Sequence, residues 1–91
     1  MTHSKVDANQ PQIVRELRDL GISVQSIASV GDGCPDIICG YRGRTYGPYE
    51  IKMPGGKLTP DEKDWWGEWN GDGTIVRCTE DVLRDIGVTA T

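Results

Sequence analysis

The sequence predicts an α/β domain with the element order α-β-β-β-α-β-α around a small mixed sheet. Two observations carry this prediction: short apolar runs separated by Gly- and Pro-containing turns, and helix-like stretches bounded by capping or breaking residues. A chain of 91 residues is large enough for one modest core and too small for two. We therefore expect one domain over residues 7–91, preceded by a flexible polar tail over residues 1–6.

The first helix is expected to begin near Asp7. Asp7 and Gln10 have the spacing of a capping box, and Pro11 suits a first helical turn. Apolar residues then recur along one helical face, at Ile13, Val14, Leu17 and Leu20. Gly21 is expected to end this helix.

Three strands are predicted in the central part of the chain, over residues 22–30, 36–41 and 45–53. Gly31-Asp32-Gly33 forms a loop or bulge between the first two. Arg42-Gly43-Arg44 is a tight turn that makes the second and third strands a hairpin. Gly47-Pro48 inside the third run marks an edge or a bulge.

The second helix has the clearest start in the chain. Thr59 is its N-cap, Pro60 takes the first position and Glu62 completes a capping box. The helix carries three tryptophans, Trp65, Trp66 and Trp69. Neighbouring helical residues diverge by about 100°, so the three rings cannot all face one core. At least one is expected to be half exposed, at a subunit interface.

A fourth strand and a third helix complete the predicted order. The strand covers residues 74–78, after the turn residues 70–73. Thr79 is expected to cap a short helix that runs to Ile86 and stops at Gly87.

The candidate functional residues lie on the predicted hairpin. Asp36 follows Pro35 at the start of the second strand, and Glu50 and Lys52 flank Ile51 in the third. Side chains alternate along a strand, so Glu50 and Lys52 project from one face. If Asp36 lies on that side, two carboxylates and an ammonium converge, which suits a divalent metal beside a phosphate. A structural ion pair explains the same residues equally well.

Five short segments occur in an order that is more specific than any one of them: residues 9–13, 31–38, 40–43, 50–52 and 57–60. Together they cover nearly the whole chain and resemble a virus-type replication-repair nuclease (VRR-NUC) domain, a branch of the PD-(D/E)xK nuclease superfamily. Stand-alone members of this family resemble phage-encoded Holliday-junction resolvases. The α-β-β-β-α-β-α order predicted above is also the common core of that superfamily.

The resemblance implies roles for the hairpin residues. Asp36 and Glu50 become catalytic carboxylates that bind Mg²⁺ or Mn²⁺, with the backbone carbonyl of Ile51 as a further ligand. Lys52 becomes the catalytic lysine. The family commonly has a glutamate on the first helix where this chain has Gln10. An amide still accepts a hydrogen bond from metal-bound water, so Gln10 is either part of the metal site or only a capping residue.

The resemblance also implies DNA as the partner. The residues expected to contact it are Gly31, Gly33, Arg42, Arg44 and Lys57, although each is equally well explained as an ordinary loop or turn residue. The net charge is −4, but residues 37–58 carry a local balance of +3 and residues 59–91 one of −5. The candidate segment is therefore basic enough to face phosphates.

The function implied is a divalent-metal-dependent endonuclease that cuts four-way (Holliday) junctions in phage or bacterial DNA replication or repair, as a homodimer or higher even oligomer. Two alternatives remain open. One is a catalytically silent DNA-binding or assembly module with the same fold, which Gln10 and the acidic net charge favour. The other is a nuclease that acts on other DNA structures.

Composition adds an expectation about location. No apolar run reaches membrane-spanning length, the N-terminus lacks the apolar segment of a signal peptide, and the three cysteines lack CxxC spacing. We expect a reduced, cytoplasmic chain, in a bacterial cell or a phage-infected host, with no membrane partner.

Overall fold

The computed structural model describes residues 7–88, so the predicted tail over residues 1–6 lies outside the described residues. It contains helices α1 (Gln10–Asp19), α2 (Pro60–Glu68) and α3 (Thr79–Ile86), and strands β1 (Ser23–Ser26), β2 (Ile37–Tyr41), β3 (Arg44–Ile51) and β4 (Thr74–Val76). The predicted α/β class and element order are confirmed. Within the described range, no helix is long and apolar enough to cross a membrane.

The strands form one mixed sheet in the order β1-β2-β3-β4. The first three are antiparallel neighbours, and β4 pairs in parallel with the end of β3. The hairpin turns at Arg42-Gly43, where both residues have positive φ, as a two-residue hairpin loop requires. The β2–β3 register shifts between Ile37 and Cys39, opposite Gly47-Pro48, so the predicted bulge is confirmed.

The core lies on the face of the sheet that α1 and α3 cover. It is built from Ile13, Leu17, Ile22, Ile37, Cys39, Tyr49, Ile51, Val76, Val82 and Leu83. The Tyr49 hydroxyl donates to the Asp85 carboxylate of α3 at 2.6 Å, which gives the buried phenol its hydrogen-bond partner. Because Tyr49 and Ile51 point into this core, the alternate residues of β3 point to the opposite face.

The structure corrects the predicted bounds of β1. The strand was predicted to run to residue 30 because the segment is rich in Ile and Val, but it ends at Ser26, and Ala28–Val30 form a 3₁₀ turn. The N–H of Ile27 makes the last bond to the carbonyl of Asp36, and Val30 is 70% exposed. β-branched residues alone cannot extend a strand whose partner has ended.

Two predicted helix caps are also wrong. The Asp7 carboxylate accepts from the backbone N–H of Met53 and does not cap α1, whose N-cap residue is Asn9. Thr79 is the first residue of α3 and not its cap, and its hydroxyl donates to Glu16 of α1. In both cases a distant partner takes the side chain from its local role.

Candidate functional site

Asp36 is fixed against the end of β3 by two hydrogen bonds. Its backbone N–H donates to the carbonyl of Tyr49 at 3.0 Å, and its Oδ2 accepts from the backbone N–H of Ile51 at 2.7 Å. The carboxylate therefore accepts a hydrogen bond from the Ile51 N–H of β3 at a point where β2 provides no backbone acceptor. Asp36 is buried, directly beside the Glu50-Ile51-Lys52 triplet.

Glu50 and Lys52 project from the face of β3 opposite the core. Glu50 is 1% exposed and Lys52 is also buried, with 3.8 Å between the Lys52 ammonium and Glu50 Oε2. The Asp36 carboxylate is a close neighbour of Glu50. The structure therefore brings together the three charged residues that the sequence singled out.

Glu62 is a fourth charged residue of this cluster, and sequence reasoning missed it. Its Oε1 lies 2.7 Å from the Lys52 ammonium, and only 18% of its side chain is exposed. The predicted capping box with Thr59 is confirmed. The capping box does not expose Glu62 to solvent, because the first turn of α2 lies against the site.

Burial and like charge dominate the electrostatics of the two strand carboxylates. Burial first, and then the adjacent Asp36, raise the pKa of Glu50 to about 9. Burial also raises the pKa of Asp36, despite the N–H that Ile51 donates to it. Without a cation, Glu50 therefore holds a proton at neutral pH.

Lys52 and Glu62 form a pair in which both pKa values shift toward the charged form. Burial favours the neutral form of both Lys52 and Glu62, but their ion pair outweighs burial. The pKa of Lys52 is raised and that of Glu62 is lowered, so both stay charged near neutral pH. When all four groups are ionised, three carboxylates face one ammonium, and the surplus of two negative charges equals the charge of one divalent cation.

Asn9 fastens the start of α1 to the end of β3. Its amide nitrogen donates to the carbonyl of Lys52 at 3.1 Å and to that of Arg77 at 2.9 Å. Gln10, the next residue, is buried at the start of the helix. Glu16, the next acidic residue of α1, is instead held by Thr79 and Gln12, so it is not available to replace Gln10.

Three buried side-chain oxygens in the described residues have no hydrogen-bond partner: Asn9 Oδ1, Gln10 Oε1 and Glu50 Oε1. Leaving such acceptors unpaired costs free energy, so each requires a water molecule or a ligand as its partner. Oxygen is the atom that Mg²⁺ and Mn²⁺ prefer. Of the three unpaired oxygens, Glu50 Oε1 lies beside a second carboxylate, that of Asp36, and is the oxygen that best suits a hard divalent cation.

Protein carboxylates alone do not complete a metal site. No group of three or more His, Cys, Asp or Glu side chains among residues 7–88 is arranged to hold a metal ion. The remaining oxygens would come from the Ile51 carbonyl, from Gln10, from water or from a bound phosphate. Magnesium sites that act on phosphates are commonly of this kind, with one or two carboxylates and several other oxygens.

The residues predicted to contact DNA lie in two places. Gly31 and Gly33 lie in the loop before Asp36, and Lys57 lies in the loop after Lys52. Arg42 and Arg44 are exposed at the turn of the hairpin, six or more residues along the strands from the carboxylates. At about 3.3 Å per residue, roughly 20 Å separates this turn from the site.

Gly33 also has a packing role. A Cβ atom on it would lie 2.2 Å from the carbonyl oxygen of Asp61, and its φ is +81°. Only glycine allows the loop before Asp36 to approach the start of α2 this closely. At Gly31, which also has positive φ, a Cβ would meet no atom within 4 Å.

The geometry stands without support from known relatives. No protein-family model, curated protein or solved structure matches the chain. The assignment of function therefore depends on the residues of the site.

Proposed function

We propose that this chain is a divalent-metal-dependent, structure-selective DNA endonuclease with a PD-(D/E)xK core of the VRR-NUC type. The observation that carries the proposal is Glu50 Oε1, an unpaired carboxylate oxygen on a residue that is almost wholly buried next to a second carboxylate. A purely structural ion pair with Lys52 does not require a second buried carboxylate beside the first, and burying two of them together costs free energy. A cation there would satisfy the oxygen and the surplus charge together.

Each residue of the site would have a separate role in binding the cation or in cleavage. Asp36, which directly precedes β2, and Glu50 on β3 would hold the cation, with the Ile51 carbonyl beside them and Gln10 at the start of α1. When bound, the cation would supply Lewis-acid chemistry for hydrolysis of a phosphodiester bond. Lys52 would orient the attacking water or stabilise negative charge that develops on the phosphate.

A panel of DNA substrates tests this function. The purified protein is incubated with Mg²⁺ or Mn²⁺ and end-labelled four-way junction, flap, nicked duplex and linear duplex, with EDTA as the control. We expect metal-dependent incision, fastest on the four-way junction. Equal rates on the junction and the linear duplex would leave a general nuclease. No incision of any substrate would favour the silent DNA-binding module, which the uncharged Gln10 in place of a glutamate supports.

The protein is also proposed to act as a homodimer or higher even oligomer. Within residues 7–88, helix α2 has no fully buried side chain, yet it carries a tryptophan cluster. The rings of Trp65 and Trp69 stack with centroids 4.7 Å apart, and Trp69 is 45% exposed, as the sequence predicted for at least one of the three. A second copy of the chain would cover this face, and a twofold dimer would supply two related incisions.

Substitution of Trp69 by glutamate is expected to convert the oligomer to monomer. Trp69 is the residue to change because it is 45% exposed, whereas Trp66 is only partly exposed. Both rings pack against glycines of their own chain, and Trp69 also donates to the Asp72 carbonyl, so the Tm of the variant is measured with its mass. Light scattering at micromolar concentration measures the mass. Leu20→Glu, at an exposed apolar position directly after α1, is the matched control and should leave the oligomer intact. A parent protein that is monomeric would contradict the proposal.

A further inference from the structure

Glu62 makes a contact that its role as a helix cap does not require. A capping-box glutamate accepts from the N-cap backbone N–H, and Glu62 Oε1 accepts from that of Thr59 at 2.8 Å. That bond can form with the carboxylate facing solvent. Here the same Oε1 also lies 2.7 Å from the Lys52 ammonium, on a largely buried side chain.

Glu62 is the nearer of the two carboxylates that form ion pairs with the Lys52 ammonium. The ammonium is within hydrogen-bond distance of Glu62 and 3.8 Å from Glu50. A lysine side chain has four flexible carbons, so the ammonium takes its position from its partners. A cation held by Glu50 would repel the ammonium, whereas the fixed negative charge of Glu62 retains it.

The position of Glu62 is in turn tied to the loop before Asp36. A Cβ on Gly33 would lie 2.2 Å from the Asp61 carbonyl oxygen and 2.9 Å from the Glu62 backbone nitrogen. The loop and the first turn of α2 therefore pack backbone against backbone. This contact places the loop before Asp36 directly against the start of the helix that carries Glu62.

We propose that Glu62 is a positioning residue that holds the Lys52 ammonium in place for phosphodiester cleavage, and that the close contact at Gly33 fixes where Glu62 stands. The inference rests on the proposed function, because it assigns Lys52 its task. Glu62 acts through the lysine and does not ligate the cation. Glu62→Gln is the sharpest test, since it removes the charge and keeps both the length and the acceptor for the Thr59 N–H.

Four quantities are measured on Glu62→Gln and the parent protein. They are the single-turnover cleavage rate of a four-way junction at saturating protein with Mn²⁺, the junction Kd in Ca²⁺, the Mn²⁺ Kd, and the ¹H–¹⁵N signal of the Lys52 ammonium. We expect the rate to fall by at least about tenfold while both Kd values change less than about twofold. The ammonium signal, protected by the ion pair in the parent, should be lost.

Two further variants separate the lysine from the helix. Thr59→Ala removes the hydroxyl that accepts from the Glu62 N–H at 3.3 Å and leaves the ion pair alone. It should lower Tm and leave the cleavage rate unchanged. Gly33→Ala should displace the start of α2 and, where it folds, slow cleavage as Glu62→Gln does.

Each contrary result has a distinct meaning. An unchanged or faster rate in Glu62→Gln, with an active parent, overturns the positioning role alone. A Mn²⁺ Kd at least about tenfold weaker overturns it too, because Glu62 would then be a ligand. A parent protein that cuts no DNA overturns the proposed function and the positioning role together.

Discussion

Asp36→Asn, Glu50→Gln and Lys52→Met are each expected to lower the single-turnover cleavage rate by at least about 100-fold. Each change preserves the shape of the side chain and removes its charge. Asp36→Asn keeps an oxygen that can accept from the Ile51 N–H, so the contact at the end of β3 survives. Gel analysis of labelled junction fragments under saturating Mn²⁺ gives the rates.

The three variants should separate into two classes when metal binding is measured. The carboxylate changes remove oxygens from the cation and should weaken Mn²⁺ binding, whereas Lys52→Met should spare it. Asp61→Asn, an exposed carboxylate on the first turn of α2, is the matched control and should cleave at the parental rate. Parental cleavage by Asp36→Asn would show that the site is wrongly assigned.

The stability of the metal-free protein is expected to fall as pH rises from 5 to 8. Burial and the neighbouring Asp36 raise the pKa of Glu50 to about 9 from 4.5, so the folded state holds a proton that the unfolded state has lost. The stabilisation is complete below pH 4.5 and disappears as pH rises through the folded pKa. The raised pKa of Asp36 acts in the same direction.

The other two charged groups of the site titrate outside this window, and of these only Glu62 would oppose the trend. The lowered pKa of Glu62 matters only below its ordinary value, and the raised pKa of Lys52 only above 10.5. A full proton corresponds to about 1.4 kcal/mol per pH unit, so we expect a loss of roughly 2 kcal/mol or more across the window.

Urea unfolding in EDTA at pH 5, 6, 7 and 8 measures this slope. Glu50→Gln, which carries no titrating group, should flatten the curve and exceed the parent in stability at pH 8. Added Mn²⁺ should stabilise the parent most at pH 8, because the cation replaces the proton on Glu50. Parallel curves for the parent and Glu50→Gln would contradict the assignment of a buried, protonated Glu50.

The elements that the sequence predicted best are those with local signals. The α2 start depends on Thr59, Pro60 and Glu62, which act within four residues, and the hairpin turn depends on Arg42-Gly43. The errors came from long-range contacts. The Asp7 carboxylate binds Met53, far along the chain, and the strand at residues 22–30 ends where β2 offers no further partner.

The residues of the candidate site also divide into three that a local sequence pattern predicts and one, Glu62, that it does not. Asp36, Glu50 and Lys52 are found from the alternation of side chains on one hairpin, because the hairpin register fixes their relative positions. Glu62 belongs to a helix that follows a separate loop, and its approach depends on the packing of Gly33 against Asp61. A capping box predicts where a helix begins but not which distant residues pack against its first turn. The ion pair between Glu62 and Lys52 could therefore not be predicted.

Calorimetric titration of the parent protein and Glu50→Gln with Mn²⁺ at pH 7.5 tests the central claim most directly, because it requires no knowledge of the DNA substrate. The account predicts binding of about one Mn²⁺ per chain, with proton release, since Glu50 must lose its proton to become a ligand. Glu50→Gln should bind at least about tenfold more weakly, with the proton release lost. Absence of Mn²⁺ binding by the parent, or equal affinity and equal proton release in the two proteins, would contradict the account.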